Sequence, residues 1–296
     1  MNGLLVVDKP GGMTSHDVVA KLRRFTGEKS IGHLGTLDPM ATGVLPLVLG
    51  KYTRLAQFFS SAEKTYTGAI RFGFATDTFD AEGAAAGPNV WAEFEPTLTL
   101  EDVRAAAAQF KGQMEQMPPA FSAKKIAGKP AYKLAREGKP VELKPANVNI
   151  ASFQILGLEG PVANFAISIS AGGYVRSVAH ELGKDLGCGG HLSALRRTKA
   201  GAFTIDAAHT LEELEALAGD LRALETLCVH PRDLLPQMPS VTGDSMALGR
   251  FRNGAQANLP ELSSAPLVKV FAGQRDLVGV AKRVAGTLFQ PVVVMG

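Results

Sequence analysis
Cysteine is almost missing from this 296-residue chain. The two that occur, Cys188 and Cys228, lie far apart and form no CxxC pair. Neither a zinc site nor a disulfide framework can be built from them, and a reducing, cytoplasmic setting is expected. Long apolar runs are lacking too. The N-terminus, MNGLLVVDKPGG, has an apolar stretch from Leu4 to Val7 that Asp8, Lys9 and Pro10 break at once. That is too short for a secretory signal, and nothing approaches the ~20 apolar residues of a membrane span. Nor does one sign of charge dominate. A formal net charge of +3 permits a nucleic-acid partner without demanding one, so the distribution of charge matters more than its total. Internal repeats and low-complexity tracts are absent. What is present is a hydrophobic content of 46%, which excludes a disordered chain and supports a sizeable core. The length admits one large domain and a small one.

Hydrophobic periodicity orders the chain. Leu4–Val7 and Leu45–Leu49 predict short buried strands. Between them, Ser15 can cap a helix carrying Val18, Leu22 and Phe25 on one face. Gly32, Gly35, Pro39 and Gly43 then mark residues 30–44 as a long irregular loop. From Lys64 to Phe74 the pattern alternates, with Tyr66, Ile70, Phe72 and Phe74 on one side, which predicts a strand. Thr99 with Asp102, and Thr210 with Glu213, form capping boxes, the second for a helix running to about Leu227. Strands are expected over Val148–Leu158 and Val162–Ser170. A helix follows with Val175, Val178, Ala179, Leu182 and Leu186 on one face, and Gly187 can stop it. Residues 114–147 differ, being rich in proline and lysine, and read as an insertion lying over the core. Pro231, Pro236 and Pro239 punctuate a linker, and LVKVF, LVGVAKRV and FQPVVVM predict a small all-β unit. The expected architecture is α+β. A catalytic domain over 1–235 has a mixed or antiparallel sheet flanked by helices, and a small β domain follows over 240–296.

The most informative stretch is Gly32-His33-Leu34-Gly35-Thr36-Leu37-Asp38-Pro39-Met40-Ala41-Thr42-Gly43. Pro39 biases Asp38 away from helical geometry, and the glycines allow turns that other residues resist. A carboxylate is thereby presented from a stiff loop between a helix and a buried strand, where catalytic groups tend to sit. Asp-Pro alone commonly makes only a turn. The whole segment resembles the catalytic motif G-H-x-G-x-L-D-P-x-A-T-G of the TruB family of pseudouridine synthases, matched at every fixed position. Lys9-Pro10-Gly11-Gly12-Met13-Thr14-Ser15 is similar to that family's opening motif. Gly172-Gly173-Tyr174-Val175-Arg176-Ser177 and Leu192–Thr198 resemble two later ones, so the likeness spans most of residues 3–200.

The resemblance implies a cofactor-independent conversion of uridine to pseudouridine, with Asp38 as the nucleophile. It makes Arg176 the ion-pair partner of Asp38, Tyr66 the active-site tyrosine that stacks on uracil or acts as a general base, and Tyr174 and Leu195 pocket walls. His33 becomes an RNA contact that helps prise the base out. No second ligand lies at metal spacing near it, so no metal is expected. Lys9 is placed beside the active-site loop, among the substrate-binding residues. The remaining histidines form no cluster. The implied substrate is the uridine of the tRNA T-arm loop, position 55 in tRNA numbering, taken out of its stack. The C-terminal unit is expected to be PUA-like, with Arg250, Arg252, Lys269, Lys282 and Arg283 available for phosphates.

Charge distribution fits an RNA partner. Lys124, Lys125, Lys129, Lys133, Arg136, Lys139 and Lys144 lie in the insertion against Glu137 and Glu142, with Phe121 and Tyr132 interleaved. By position this corresponds to the family's RNA-gripping insertion, with Lys124 and Lys125 as contacts. Arg196, Arg197 and Lys199 add a second basic cluster. No guide-complex extension is visible, so a stand-alone monomer is expected. A pseudouridine synthase acting on another RNA, such as rRNA, is a rival that the motif set disfavours without a direct readout of substrate, and two further rivals explain less. A non-catalytic RNA-binding module leaves Asp38 and its partners without a role. A glycoside hydrolase normally needs a second carboxylate, and no second acid stands in a comparable motif.

Overall fold
The computed structural model describes residues 1–119, 121–122 and 143–295, with backbone alone for 125–126 and 129–130. In chain order the strands are β1 (Gly3–Lys9), β2 (Ile31–His33), β3 (Thr42–Leu49), β4 (Lys64–Phe72), β5 (Gly112–Gln116), β6 (Lys125–Ile126), β7 (Lys129–Pro130), β8 (Ala146–Glu159), β9 (Val162–Ile169), β10 (Gly190–Ala200), β11 (Phe203–Thr204) and β12 (His209–Thr210). The main sheet runs β12-β1-β3-β10-β4-β9-β8-β5, with β2 added to β3 and β11 to β10, while β6 and β7 pair with each other. It is mixed: β1 with β12 and β3 with β10 are parallel, and the other pairs are antiparallel.

Burial explains the two kinds of strand sequence. On β1, Leu5 and Val7 join one core while Leu4 and Val6 join another; on β3, Leu45, Leu47 and Leu49 face the first and Val44 and Val48 the second. Both faces are covered, so both strands read as unbroken apolar runs. In contrast, β4 and β9 alternate. Tyr66, Ile70, Phe72, Phe165 and Ile167 point into the first core, and the residues between them stay half-exposed or exposed. That first core is closed by the helices Ser15–Thr26, Leu100–Ala108 and Val175–Asp185.

Helix boundaries follow their caps. The Thr99–Asp102 and Thr210–Glu213 boxes form as expected. At the first helix the cap is Thr14, closed by Asp17, rather than Ser15, which is buried and used elsewhere. The helix expected to reach Leu227 is two short ones, Leu211–Ala216 and Leu221–Thr226, because Asp220 caps a second start. Residues 30–44 are not wholly irregular, since β2 pairs with β3 inside them.

After the proline-rich stretch, β13 (Ser240–Thr242), β14 (Ala257–Asn258), β15 (Leu267–Ala272), β16 (Asp276–Ala285) and β17 (Leu288–Val294) form a second sheet in the order β13-β15-β16-β17-β14. It is not all-β, for Asp244 caps a helix over Ser245–Arg252. Phe271, Leu277, Val280, Val293 and Met295 from this sheet pack into one cluster with Leu4, Val6, Val44 and Val48. The C-terminal sheet thus covers an apolar face of the main one.

Its cations are largely engaged. Lys269 is buried and donates to Arg232 O and Leu234 O, both at 2.6 Å. Arg283 lies over Phe289 and bonds main-chain carbonyls, Arg250 donates to Gln256 O, and Arg252 pairs with Asp276. The expectation of availability to phosphates fails for Lys269, which is buried on two carbonyls, while Arg250 and Arg252 keep exposed side chains. Phe271→Ala should lower unfolding stability by about 3–5 kcal/mol, measured by denaturant titration. A loss below about 1 kcal/mol would mean that the cluster does not join the two sheets.

Candidate active site
The loop between β2 and β3 carries Asp38 and is pinned from several directions. Leu34 N donates to Pro46 O, Gly12 N to Pro39 O, and Ala41 N closes a turn onto Asp38 O. Ser15, one residue past the helix cap, binds Leu37 at both ends: Leu37 N donates to its Oγ at 2.8 Å, and the Oγ donates to Leu37 O at 3.2 Å. Lys9 is fully buried, and its Nζ donates to Pro10 O, Met13 O and Pro39 O. Burial pushes its pKa down to about 8. Lys9 therefore ties the opening motif to the Asp38–Pro39 turn and has no surface to offer RNA, which corrects the expectation of a substrate contact.

Arg176 approaches from the first turn of the helix Val175–Asp185. Its Nη2 donates to Asp38 Oδ1 at 3.0 Å, and its Nε lies 2.9 Å from Oδ2. The Nε contact is an ion-pair approach without good hydrogen-bond alignment, since that nitrogen counts no hydrogen-bond acceptor. The guanidinium also donates to Thr78 O and Phe121 O, and its Nη1 stands 3.4 Å from Asp80 Oδ2. Asp80 is buried and held by Thr78 Oγ1 and Glu82 N. The helix start is fixed by Gln116, whose amide accepts from Tyr174 N and donates to Tyr174 O.

Asp38 keeps 32% of its side chain exposed while Arg176 keeps 5%. A cavity of about 230 Å³ opens beside the pair, lined by Asp38, Arg176, Tyr66, Tyr174, Leu195 and Lys64 among others. Surrounding protein raises the Asp38 pKa; Arg176 and Lys9 oppose this and Asp80 adds to it. Burial raises the Tyr66 phenol as well, with Arg197 opposing, so the resting tyrosine is neutral rather than a phenolate base.

The expected residues Asp38, Tyr66, Arg176, Tyr174 and Leu195 thus share one cavity. His33 lies outside that lining, half-buried on β2, with its pKa lowered by burial and by Arg197 and His16. Lys124 and the Lys125 side chain lie outside the described residues. Arg197 is buried, while Arg196 pairs with Asp8 but keeps 42% of its side chain exposed and Lys199 is exposed.

Asp80 and Gln116 have no signal in the sequence for these contacts, and Ser15, expected as a helix cap, instead holds Leu37. Asp80 is brought in by a turn beyond β4, with Phe79 at a φ of 65°. Only the Asp, Thr and Gly clustered there hinted at a turn, and nothing hinted at its partner.

The fold defines a class. The chain superposes on a solved Cbf5–Nop10–Gar1 complex with a TM-score of 0.71 and 23% identity, over 99% of this chain and 85% of that one. An H/ACA ribonucleoprotein bound to a substrate RNA containing 2′-deoxyuridine matches equally, with a TM-score of 0.71 and 22% identity over 99% of this chain and 85% of that one. This is the pseudouridine synthase fold. Residues 23–175 match the TruB family pseudouridylate synthase N-terminal domain, and residues 176–233 the tRNA pseudouridylate synthase B C-terminal domain. A tRNA pseudouridine synthase B of Solibacter usitatus is 45% identical over the full length of both chains. Its namesake in Geobacter sulfurreducens is 40% identical over 86% of this chain and 82% of that one. The chain belongs to the TruB family.

Asp80 has a testable part in the ion pair. For a reaction that needs the Asp38 carboxylate ionised, a raised pKa places the acid limb of the rate above pH 3.8, the value of an unperturbed aspartate. Asp80→Asn removes a neighbouring negative charge that raises Asp38, so this limb should move down. The plateau rate should fall ~10- to 100-fold as Arg176 loses an anchor. Single-turnover rates across pH decide this, and an upward movement would reverse the electrostatic assignment.

Proposed function
We propose that this chain isomerises uridine to pseudouridine in the T-arm loop of tRNA, position 55 in tRNA numbering. The base is flipped out, Asp38 is the nucleophile, and neither cofactor nor guide RNA takes part. The observation that carries this reading is a part-exposed carboxylate paired with a buried arginine at the edge of a cavity walled by two tyrosines and a leucine.

In the reaction the N1–C1′ bond breaks, the uracil turns within the pocket, and C5 bonds to C1′. The C5 proton leaves and N1 gains one, so the change is an isomerisation. An ionised Asp38 supplies the electron pair that adds to the nucleotide and is later released. Arg176 keeps it ionised and fixes its two oxygens. Tyr66 offers a neutral ring on which a detached uracil can stack, while Leu195 and Tyr174 exclude water from the other sides. The base must leave its stack to reach this cavity, and the shape of the T-arm is what the protein reads. The lysine-rich insertion supplies the phosphate contacts, and the protein works as a cytoplasmic monomer.

Asp38→Asn keeps the shape and removes the charge. It should abolish pseudouridine formation in a defined tRNA transcript and leave tRNA binding within a few-fold, by nucleoside analysis and filter binding. Activity near wild type would sink the assignment. Lys124→Ala with Lys125→Ala should weaken binding and flatten its log–log salt dependence by about 0.7–0.9 per lost contact, with little loss of rate at saturating tRNA. An unchanged slope would return these lysines to a solvated surface.

A further inference from the structure
Arg197 has no task in the chemistry above, yet it is among the most deeply placed cations. It is 1% exposed. Among the described residues it meets no carboxylate. Instead its Nε donates to Val44 O at 2.6 Å, its Nη2 to Gly35 O at 3.0 Å and its Nη1 to Thr36 O at 3.3 Å. Burying a charge without a counter-charge is costly, so its partners show what it holds. Two of the three carbonyls belong to the residues leading into Asp38. They sit in a loop with no strand ladder there to satisfy them. A planar guanidinium can serve three separated acceptors at once, which an ammonium on a flexible stem cannot do in the same arrangement.

The sheet delivers the guanidinium to that position. In the register, Arg197 stands opposite Tyr66 on β4 and opposite Gly43 on β3. Gly43 has a φ of 101°, and a Cβ there would collide with the main chain of Arg197. A Cβ on Gly35 would lie against the Arg197 guanidinium and the stem of Lys64. Gly43 therefore makes room for the main chain of Arg197, Gly35 takes a φ of 133° that favours glycine where the chain passes the guanidinium, and the neighbour of Arg197 across the strands is the pocket tyrosine.

We infer that Arg197 is a positioning residue for the reaction: its guanidinium fixes the main chain entering Asp38 at the depth where the carboxylate meets Arg176, and braces that loop against the Tyr66 strand. The inference rests on the reading of Asp38 as nucleophile. It differs from a plain core brace in what Arg197→Lys should do. That variant keeps the charge but cannot hold all three carbonyls.

The test compares wild type, Arg197→Lys and Arg197→Gln on a tRNA transcript, with melting temperature, tRNA affinity and single-turnover rate across pH. For Arg197→Lys the rate at saturating tRNA should fall about 10- to 100-fold, the scale of a small misplacement of a reacting group. The tRNA Kd should stay within about threefold. The acid limb should also move up, because an Asp38 carboxylate drawn away from Arg176 ionises less readily. The charged and titratable groups facing Asp38 are Arg176 on its helix, Asp80 and Glu82 on the turn after β4, Tyr66 on β4 and Lys9 on β1. None is altered, so displacement of the limb reports position.

Two results overturn the inference: a rate within twofold of wild type, or a rate loss with no displacement of the acid limb, measured below the melting temperature. Should Arg197→Gln fail to fold, Arg197→Lys decides alone. An active Asp38→Asn enzyme would defeat the underlying function. A wild-type-like Arg197→Lys in a protein whose Asp38→Asn is dead defeats this inference only.

Discussion

Asp38 meets Arg176 under opposing electrostatic demands, and much of the local structure exists to reconcile them. A guanidinium in the first turn of a helix faces the positive end of the helix dipole, which disfavours it by some 0.3–1 kcal/mol. Here that guanidinium is also 5% exposed. Two carboxylates and two carbonyls offset both costs: Asp38 in front, Asp80 behind, and Thr78 O and Phe121 O at the flanks. The pairing is unequal by design of the surroundings. Asp80 is buried and tied to its own turn by Thr78 and Glu82. Asp38 keeps an open side on the cavity. One carboxylate therefore serves the arginine, while the other is served by it.

The cavity lies where the sheet changes character. Toward β1 and β3 both faces are covered, by helices on one side and the C-terminal sheet on the other. Toward β4, β9 and β8 only one face is. Tyr66 belongs to the first core and also lines the cavity, so one side of its ring is packed while another remains open to a ligand. Its partner strand β10 shifts register between Leu192 and Ala194 and again between Arg197 and Lys199. Between those irregularities Leu195 and Arg197 fall on the same face as Tyr66. Gly68 permits the crossing, since a Cβ there would collide with Ala194 O and crowd the Phe165 ring. A rigid sheet with local bulges can thus aim three unlike side chains at one small volume.

Much of this was legible in the sequence, for definite reasons. Apolar runs at β1 and β3, alternation along β4 and β9, and two of the capping boxes all follow from neighbours in the chain. The Asp38 loop was legible because Gly and Pro restrict or free the backbone in ways that leave a residue signature. Asp80 was not, since its value lies in an arginine about a hundred positions away. The state of the cations was misjudged for a related reason. A lysine or arginine in a sequence shows its charge, but a main-chain carbonyl has no residue signature, so a cation committed to carbonyls looks free.

Lys9, Arg197 and Lys269 are the same physical device used three times. Each is buried, and each ends mainly on carbonyls of irregular segments: Pro10, Met13 and Pro39 for Lys9; Gly35 and Thr36, with Val44 of β3, for Arg197; Arg232 and Leu234 for Lys269. Loops of this kind cannot satisfy their carbonyls through a ladder, and an unpaired buried carbonyl costs roughly 1–3 kcal/mol. One multivalent donor resolves several at once and sets the distances between them. The first two hold the Asp38 loop from below and from the side. The third holds the segment that joins the main sheet to the C-terminal one. Fixing the Asp38 loop and fixing the cover on the back of its sheet are therefore the same structural problem. In both places the chain solves it by taking a charge out of solvent and giving it to the backbone.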